Sequence, residues 1–368
     1  MVAQKTRILV QSQSHQLQCR PGSDKSFKVE EYHIVDLDGG KIYRNISPPM
    51  LIPARVGMSS MVTLGDSVYM FGRCFSPDDI IQIPSCKAQS PKDTFYTGAA
   101  HLKIVNHDDG QVSGFWREDP EKIFGPFSPS CTSLNGKIYS FGFGYFCPRV
   151  FDPTTKCWNA IPFPKEFERC RVAVPVLPDA YANRIILRLQ GSSLPSSPSV
   201  YAFYHTDNIG ILTPLVTECV PWSPYAAFAD DVIYFHYRKC PNLLCAYDLK
   251  GLQWLDVKWA TTDIDGWNIL DFRCELFEDL HSLGDKSFCL ATSWSVLPKS
   301  VYTSDPNFDL DSDDSDYDGD DDDIRKCRFL FLKFRVERTG STVNLVPQSV
   351  RSFVLPRTSY ARNMVPIS

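Results

Sequence analysis

The stretch SCTSLNGKIYSFGFGYFCPRVFDPTTKCWNAIPFP, beginning at Ser130, is cut into short apolar segments by turn chemistry alone. LNGK supplies the Asn-Gly pair of a two-residue hairpin, DPTTK is a second turn, and Trp158 falls in the last segment, so the stretch reads as four antiparallel strands. Similar units recur: PARVGMSSMVTLGDSVYMFGR from Pro53, RVAVPVLPDAYANRIILRLQG from Arg171, SPYAAFADDVIYFHYRKCPNLLCAYDLKGLQWLDV from Ser223 and FRCELFEDLHSLGDKSFCLATSW from Phe272. Third strands, each running into its own turn, follow in YHIVDLDGGK, HLKIVNHDDG, VFDPTTK, AFYHTDNIG, AYDLKG and FRVERTG. One such unit cannot bury both of its faces by itself, so the units must stack on one another.

The expectation is an all-β, six-bladed β-propeller spanning 1–368 as a single domain. The first unit lacks an innermost strand, because the chain opens directly on RILVQS, and LPRTSYARNMVPIS at the other end has the pattern of the missing one. Pairing of the C-terminal and N-terminal strands would close the ring and remove its exposed edges. The units resemble kelch repeats, most of all those of plant kelch-type proteins, in the P-x-R and LGDSVYMFG of residues 53–72 and in LNGKIYSFG through FDPTTKCW of residues 134–158. The glycine doublet that ends the second strand of a kelch repeat reads here Gly72-Arg73 and Gly142-Phe143, and Trp marks only three fourth strands (Trp116, Trp158, Trp254). The resemblance implies a kelch-type propeller acting as a protein-binding scaffold or adaptor. Many plant relatives carry an F-box ahead of the ring; with the first strand starting at residue 7, none is expected here.

Hydrophobic residues make up 43% of the 368, enough for a core of this size. The net charge of −5 is local in origin, since residues 304–323 contain eleven Asp and no Lys or Arg, and the remaining chain is mildly basic. Within that run DSDYDGDDDD imitates the opening of an EF-hand with Asp314, Asp316, Asp318 and Gly319, but the twelfth position is Arg325 where calcium needs a bidentate Glu. The stretch 303–324 is therefore read as an acidic, disordered loop inserted in the last blade. Thirteen cysteines without a CxxC pair suit reduced thiols, and the N-terminus MVAQKTRILVQSQSHQ has no apolar core of a signal peptide. A cytoplasmic or nuclear protein with no membrane partner is expected.

Individual residues bear on the catalytic readings. Galactose oxidase has a kelch-like ring but needs two His and two Tyr on copper, whereas the seven histidines here are scattered. Plant nitrile-specifier proteins hold ferrous iron with E-x-x-x-D-x-x-x-H; the nearest match, ELFEDLHSL, offers Glu275 and Asp279, with Leu283 in the third ligand's place and His281 two residues early. On a strand His281 would still face the same side as Asp279. His236 and Cys240 in HYRKC suggest zinc but lack a second pair at ligand spacing. No nucleophile elbow, phosphate loop or H-E-x-x-H occurs, nor a nucleic-acid signature. The expectation is a monomeric, non-enzymatic protein with no cofactor and no nucleic-acid partner, the alternative being a metal-assisted lyase or specifier-like enzyme.

In a four-stranded meander the turns after strands one and three share one side, and those after two and four the other. The first set is short (LGD, LNG, ADD, DGG, LKG, RTG), while the second holds the long segments 11–30, 74–97, 117–129, 260–271 and 295–324. Binding is assigned to the long-loop side. Arg55, Arg171, Arg273 and Arg357 begin inner strands there, and Arg73 and Arg238 end second strands. Such a rim suits a protein partner with an acidic or phosphorylated segment, unless the arginines instead brace neighbouring blades.

Overall fold

The computed structural model describes residues 6–14, 27–44, 46, 50–53, 60–75, 96–106, 112–118, 130–141, 148–155, 157–167, 170–191, 200–206, 209–216, 220, 222–236, 240, 242–271, 277–296, 326–355 and 360–367. These form an all-β, propeller-like arrangement. β1 (Arg7–Ser14), β2 (Phe27–Asp36) and β3 (Lys41–Tyr43) build the first sheet, to which β4 (Met50–Pro53) adds on β2. β5 (Ser60–Leu64), β6 (Ser67–Phe75), β7 (Tyr96–Asn106) and β8 (Val112–Glu118) make the second. β9 (Ser130–Leu134), β10 (Lys137–Phe141), β11 (Arg149–Asp152) and β12 (Cys157–Ala160) make the third. β13 (Arg171–Asp179), β14 (Arg184–Gln190), β15 (Val200–Thr206) and β16 (Ile209–Val216) make the fourth.

A second kind of sheet follows. β17 (Ala226–Ala229), β18 (Val232–His236), β19 (Leu244–Asp248) and β20 (Gln253–Trp259) form one meander, and β21 (Asp263–Ile264) pairs with β22 (Trp267–Asn268) as a separate ribbon. β23 (Phe277–Gly284), β24 (Ser287–Val296), β25 (Lys326–Thr339) and β26 (Thr342–Leu355) form another meander. The long β25–β26 hairpin reaches back so that Thr342 to Leu345 run parallel to Asp256 to Trp259, which joins both meanders into one eight-stranded sheet. β27 (Tyr360–Ile367) lies antiparallel to β1, Ile367 opposite Arg7 and Val365 opposite Leu9, so the expected pairing of the two chain ends is present.

First strands touch in a closed circuit: β27 against β5, then β9, β13, β17, β23 and β27 again. Each sheet is thus covered on both faces, which is why its strands read as near-continuous apolar runs. Successive residues of a strand point to opposite faces. Ile8 and Val10 pack with Phe329 and Phe331 of β25, while Leu9 between them packs with Met61, Val68 and Met70 of the second sheet. Trp158 of β12 is half-buried and meets Phe71 of the second sheet edge-on at 5.2 Å.

Turn chemistry does what the sequence asks. Asn135 and Gly136 have φ of 50° and 73°, and Asp230 and Asp231 have φ of 51° and 60°, the left-handed pair of a two-residue hairpin whose twist matches its strands. Asp36 and Asp248 end third strands by accepting bonds from the following N–H groups, Asp36 Oδ1 from Gly39 at 2.6 Å and Asp248 Oδ1 from Lys250 at 2.9 Å. A Cβ on Gly39 or Gly251 would come within 2.8 Å or 2.7 Å of the same carboxylates, so D-x-x-G is a packing unit of these repeats.

Two loop boundaries differ from expectation. β1 and β2 stay paired as far as Ser14 and Val29, which narrows the segment 11–30 to 15–26. Segment 260–271 carries the β21–β22 ribbon, because Asp265 and Gly266 form another left-handed turn with φ of 52° and 78°. The acidic stretch 303–324, Glu275, Arg55, Arg238, Arg273 and Arg357 lie outside the described residues.

Candidate functional site

The side carrying the short turns is bolted together. Arg184, 13% exposed, donates to Asp179 at 2.7 Å within its sheet and to Asp231 at 2.6 Å in the next. Asn135 donates to Asn183 at 2.6 Å, Lys286 pairs with Asp230 at 2.8 Å, and Arg338 pairs with Asp248. Lys333 reaches across the last seam to Asp38 at 2.6 Å and Thr6 at 3.1 Å. Burial works against ionisation of Asp248, but bonds from the Gly251 N–H, Arg338 and the Lys250 N–H outweigh it and hold the carboxyl below its ordinary value. The same contest, won by the bonds from Lys333 and Thr6, depresses Asp38.

The opposite side is different. Arg171 opens β13 opposite Gln190, at the end where β14 leaves toward residue 191, and its side chain is exposed. No described residue pairs with it. Arg73 lies near the end of β6, opposite Gly98 of β7. The structure therefore places both arginines at the long-loop ends of their strands.

Asp279 and His281 sit two apart on β23, with Oδ2 and Nε2 3.1 Å apart. The approach is not aligned as a hydrogen bond, so it is a charge contact made when the imidazole is protonated. Leu280 between them points the other way into the core. Opposite His281 on β24 is fully buried Cys289, whose thiol is pushed far above its ordinary value by burial and, next, by Asp279, while Lys333 pulls the other way. That thiol is no nucleophile. Leu283 is packed in the core and cannot ligate. Asp279 and His281 thus supply two donors on one face, and among the described residues no group of three His, Cys, Asp or Glu is arranged to hold a metal.

His236 is buried at the end of β18, opposite Leu244, whereas Cys245 is opposite Phe235. Alternation sends His236 and Cys245 to opposite faces. Among the described residues the zinc pairing of His236 with Cys240 finds no third ligand, but Cys240 has a neighbour that spacing did not reveal: its Sγ lies 3.2 Å from the Leu244 carbonyl, beside Cys245. His33, buried beside Ser12 Oγ at 3.0 Å, is held neutral, its pKa lowered to about 4 by burial and then by Arg44.

No protein-family signature matches the chain, and no curated protein matches it. Among solved structures it is similar to Citrobacter koseri AztD, at 10% identity and a TM-score of 0.36, over 99% of this chain and 98% of that one. It is also similar to a chain of a nidogen/laminin complex, at 10% identity and a TM-score of 0.34, over 69% of this chain and 92% of that one. An oligogalacturonate lyase in complex with manganese matches at 9% identity and a TM-score of 0.33, over 82% of this chain and 74% of that one.

Proposed function

We propose that this chain is a six-bladed, kelch-type propeller that binds a protein partner with an acidic or phosphorylated segment through its long-loop side, as a monomeric, non-enzymatic adaptor. The observation that carries this reading is the contrast between two arginines of the fourth sheet. Arg184 is spent on bonds within and between sheets, while Arg171, on the other side, is exposed with no described partner. A guanidinium free of structural duty can receive a carboxylate or phosphate in bidentate fashion. The test is binding of an acidic phosphopeptide to the intact protein and to the Arg73→Glu/Arg171→Glu variant. Roughly tenfold weaker binding at low salt, with the difference shrinking as ionic strength rises, supports the rim. Equal affinity at every salt concentration rejects it.

The Asp279–His281 contact favours a second reading, a metal-assisted lyase. Metal analysis of purified protein separates the two. A stoichiometric divalent ion, lost on Asp279→Ala, would replace the adaptor reading with the enzyme.

A further inference from the structure

Between β18 and β19 the chain turns back sharply. Leu243 N–H bonds the Cys240 carbonyl at 3.0 Å, and Leu244 N–H bonds the Asn242 carbonyl at 2.7 Å. Leu243, between the last two, takes a φ of 61°, which a branched side chain rarely adopts. The conformation is held from outside: Asn242 Nδ2 donates to the Val257 carbonyl at 2.6 Å, and Trp259 Nε1 donates to the Asn242 carbonyl at 2.9 Å. The effect is to lay the Cys240 thiol over the start of β19, where its Sγ is 3.2 Å from the Leu244 carbonyl, the group that carries the Cys245 nitrogen. Cys240 and Cys245 are thereby neighbours, both half-buried and both reduced.

We propose that Cys240 and Cys245 form a reversible disulfide in exchange with a small-molecule disulfide such as oxidised glutathione. This stands apart from the partner reading, since it needs neither the arginine rim nor a bound protein. Burial foremost, and then the neighbouring Cys240, pushes the Cys245 thiol up to about 12, so its thiolate is scarce. The Cys240 thiolate attacks one sulfur of oxidised glutathione, the S–S bond breaks and one glutathione thiolate leaves. Cys245 then gives up its proton and its sulfur displaces the second glutathione thiolate from Cys240. One protein disulfide forms and one glutathione disulfide is reduced to two thiols, which take up the two protons.

Trypsin cuts after Lys239 and Lys250, so both cysteines and no others fall in one peptide, CPNLLCAYDLK. The full-length protein is equilibrated in a glutathione redox buffer, alkylated, digested and weighed. The expected product is this peptide unalkylated, lighter than the dithiol by two hydrogen atoms and restored by dithiothreitol. Its disulfide should be about tenfold more favoured in folded protein than in the same chain in urea, a difference of roughly 30 mV. Cys245→Ser should stop at a glutathione adduct on Cys240. A doubly alkylated peptide, an adduct as the wild-type end state, equal ratios folded and unfolded, or a Cys245→Ser peptide without adduct would each overturn the proposal.

Discussion

The two sides of this molecule are built by different means. On the short-turn side four cations are each paired with a carboxylate of their own or of the next sheet: Arg184 with Asp179 and Asp231, Lys286 with Asp230, Lys333 with Asp38, Arg338 with Asp248. On the long-loop side Arg171 stands exposed, and the connections are longer. The lesson is a division of labour: hairpins too short to vary can be cross-linked, which frees the other ends of the strands for recognition. The two sides should then respond differently to substitution, stability changing on one and binding on the other.

The largest effect should come from what both sides share, the closed circuit. Deleting 358–368 removes β27, exposes the edge of β1 and uncovers the apolar faces that Met364 and Val365 close. Size-exclusion chromatography should show aggregate; a monomer with unchanged melting temperature would refute β27 as the clasp. Next, Arg184→Ala leaves Asp179, 7% exposed, without its charge partner and should cost roughly 3 kcal/mol in denaturant unfolding. A loss under about 0.5 kcal/mol, as for an ordinary surface site, would mean that the short-turn side is not bolted as described.

Acid titration separates contributions by pH. His33 binds its proton more weakly folded than unfolded, so acid favours unfolding: its contribution is full above the unfolded value of about 6.5 and is lost as pH falls toward about 4. Asp38 and Asp248 are also depressed, so theirs is full above the unfolded aspartate value of about 3.9 and is lost only below it. Stability measured against pH should therefore fall in two limbs. His33→Gln should remove the upper one, and Lys333→Met should weaken only the lower; a Lys333→Met effect confined to the upper limb would contradict the Asp38 pairing. Gly251→Ala pushes a methyl against the Asp248 carboxylate and should cost about 1 to 2 kcal/mol, most of it recovered if Asp248 is first replaced by Ala. Additive losses in that pair would show that the clash is not the cause. Smallest of all, Arg171→Glu should change stability by less than about 0.5 kcal/mol while weakening peptide binding; a large destabilisation would make Arg171 a brace after all.

Several features are legible in the sequence. The hairpins at Asn135-Gly136 and Asp230-Asp231 follow from residues tolerant of positive φ, and the strand at 360–367 from the need to complete the first sheet. The placement of Asp279 and His281 on one face follows from strand alternation. What escaped was non-local. Nothing in QWLDVKW or TVNLVPQ announces that they pair in parallel, since parallel partners carry no connecting turn. HYRKC suggested joining His236 to Cys240, but Cys240 lies at the Leu244 carbonyl beside Cys245, and register sends His236 and Cys245 to opposite faces.

The sequence by itself determined the local units: short apolar runs, turns set by Asn, Asp and Gly, and the D-x-x-G ends of third strands. Each depends on residues within a few positions, where sterics and short hydrogen bonds act. Tertiary structure alone decided which charges are spent and which remain: Arg184 and Arg171 lie thirteen positions apart in one sheet and are equivalent in composition. Only the neighbouring sheet, by bringing Asp231 to Arg184, makes one a fastening and leaves the other facing solvent, because an ion pair exists only where two remote segments are packed within a few ångströms.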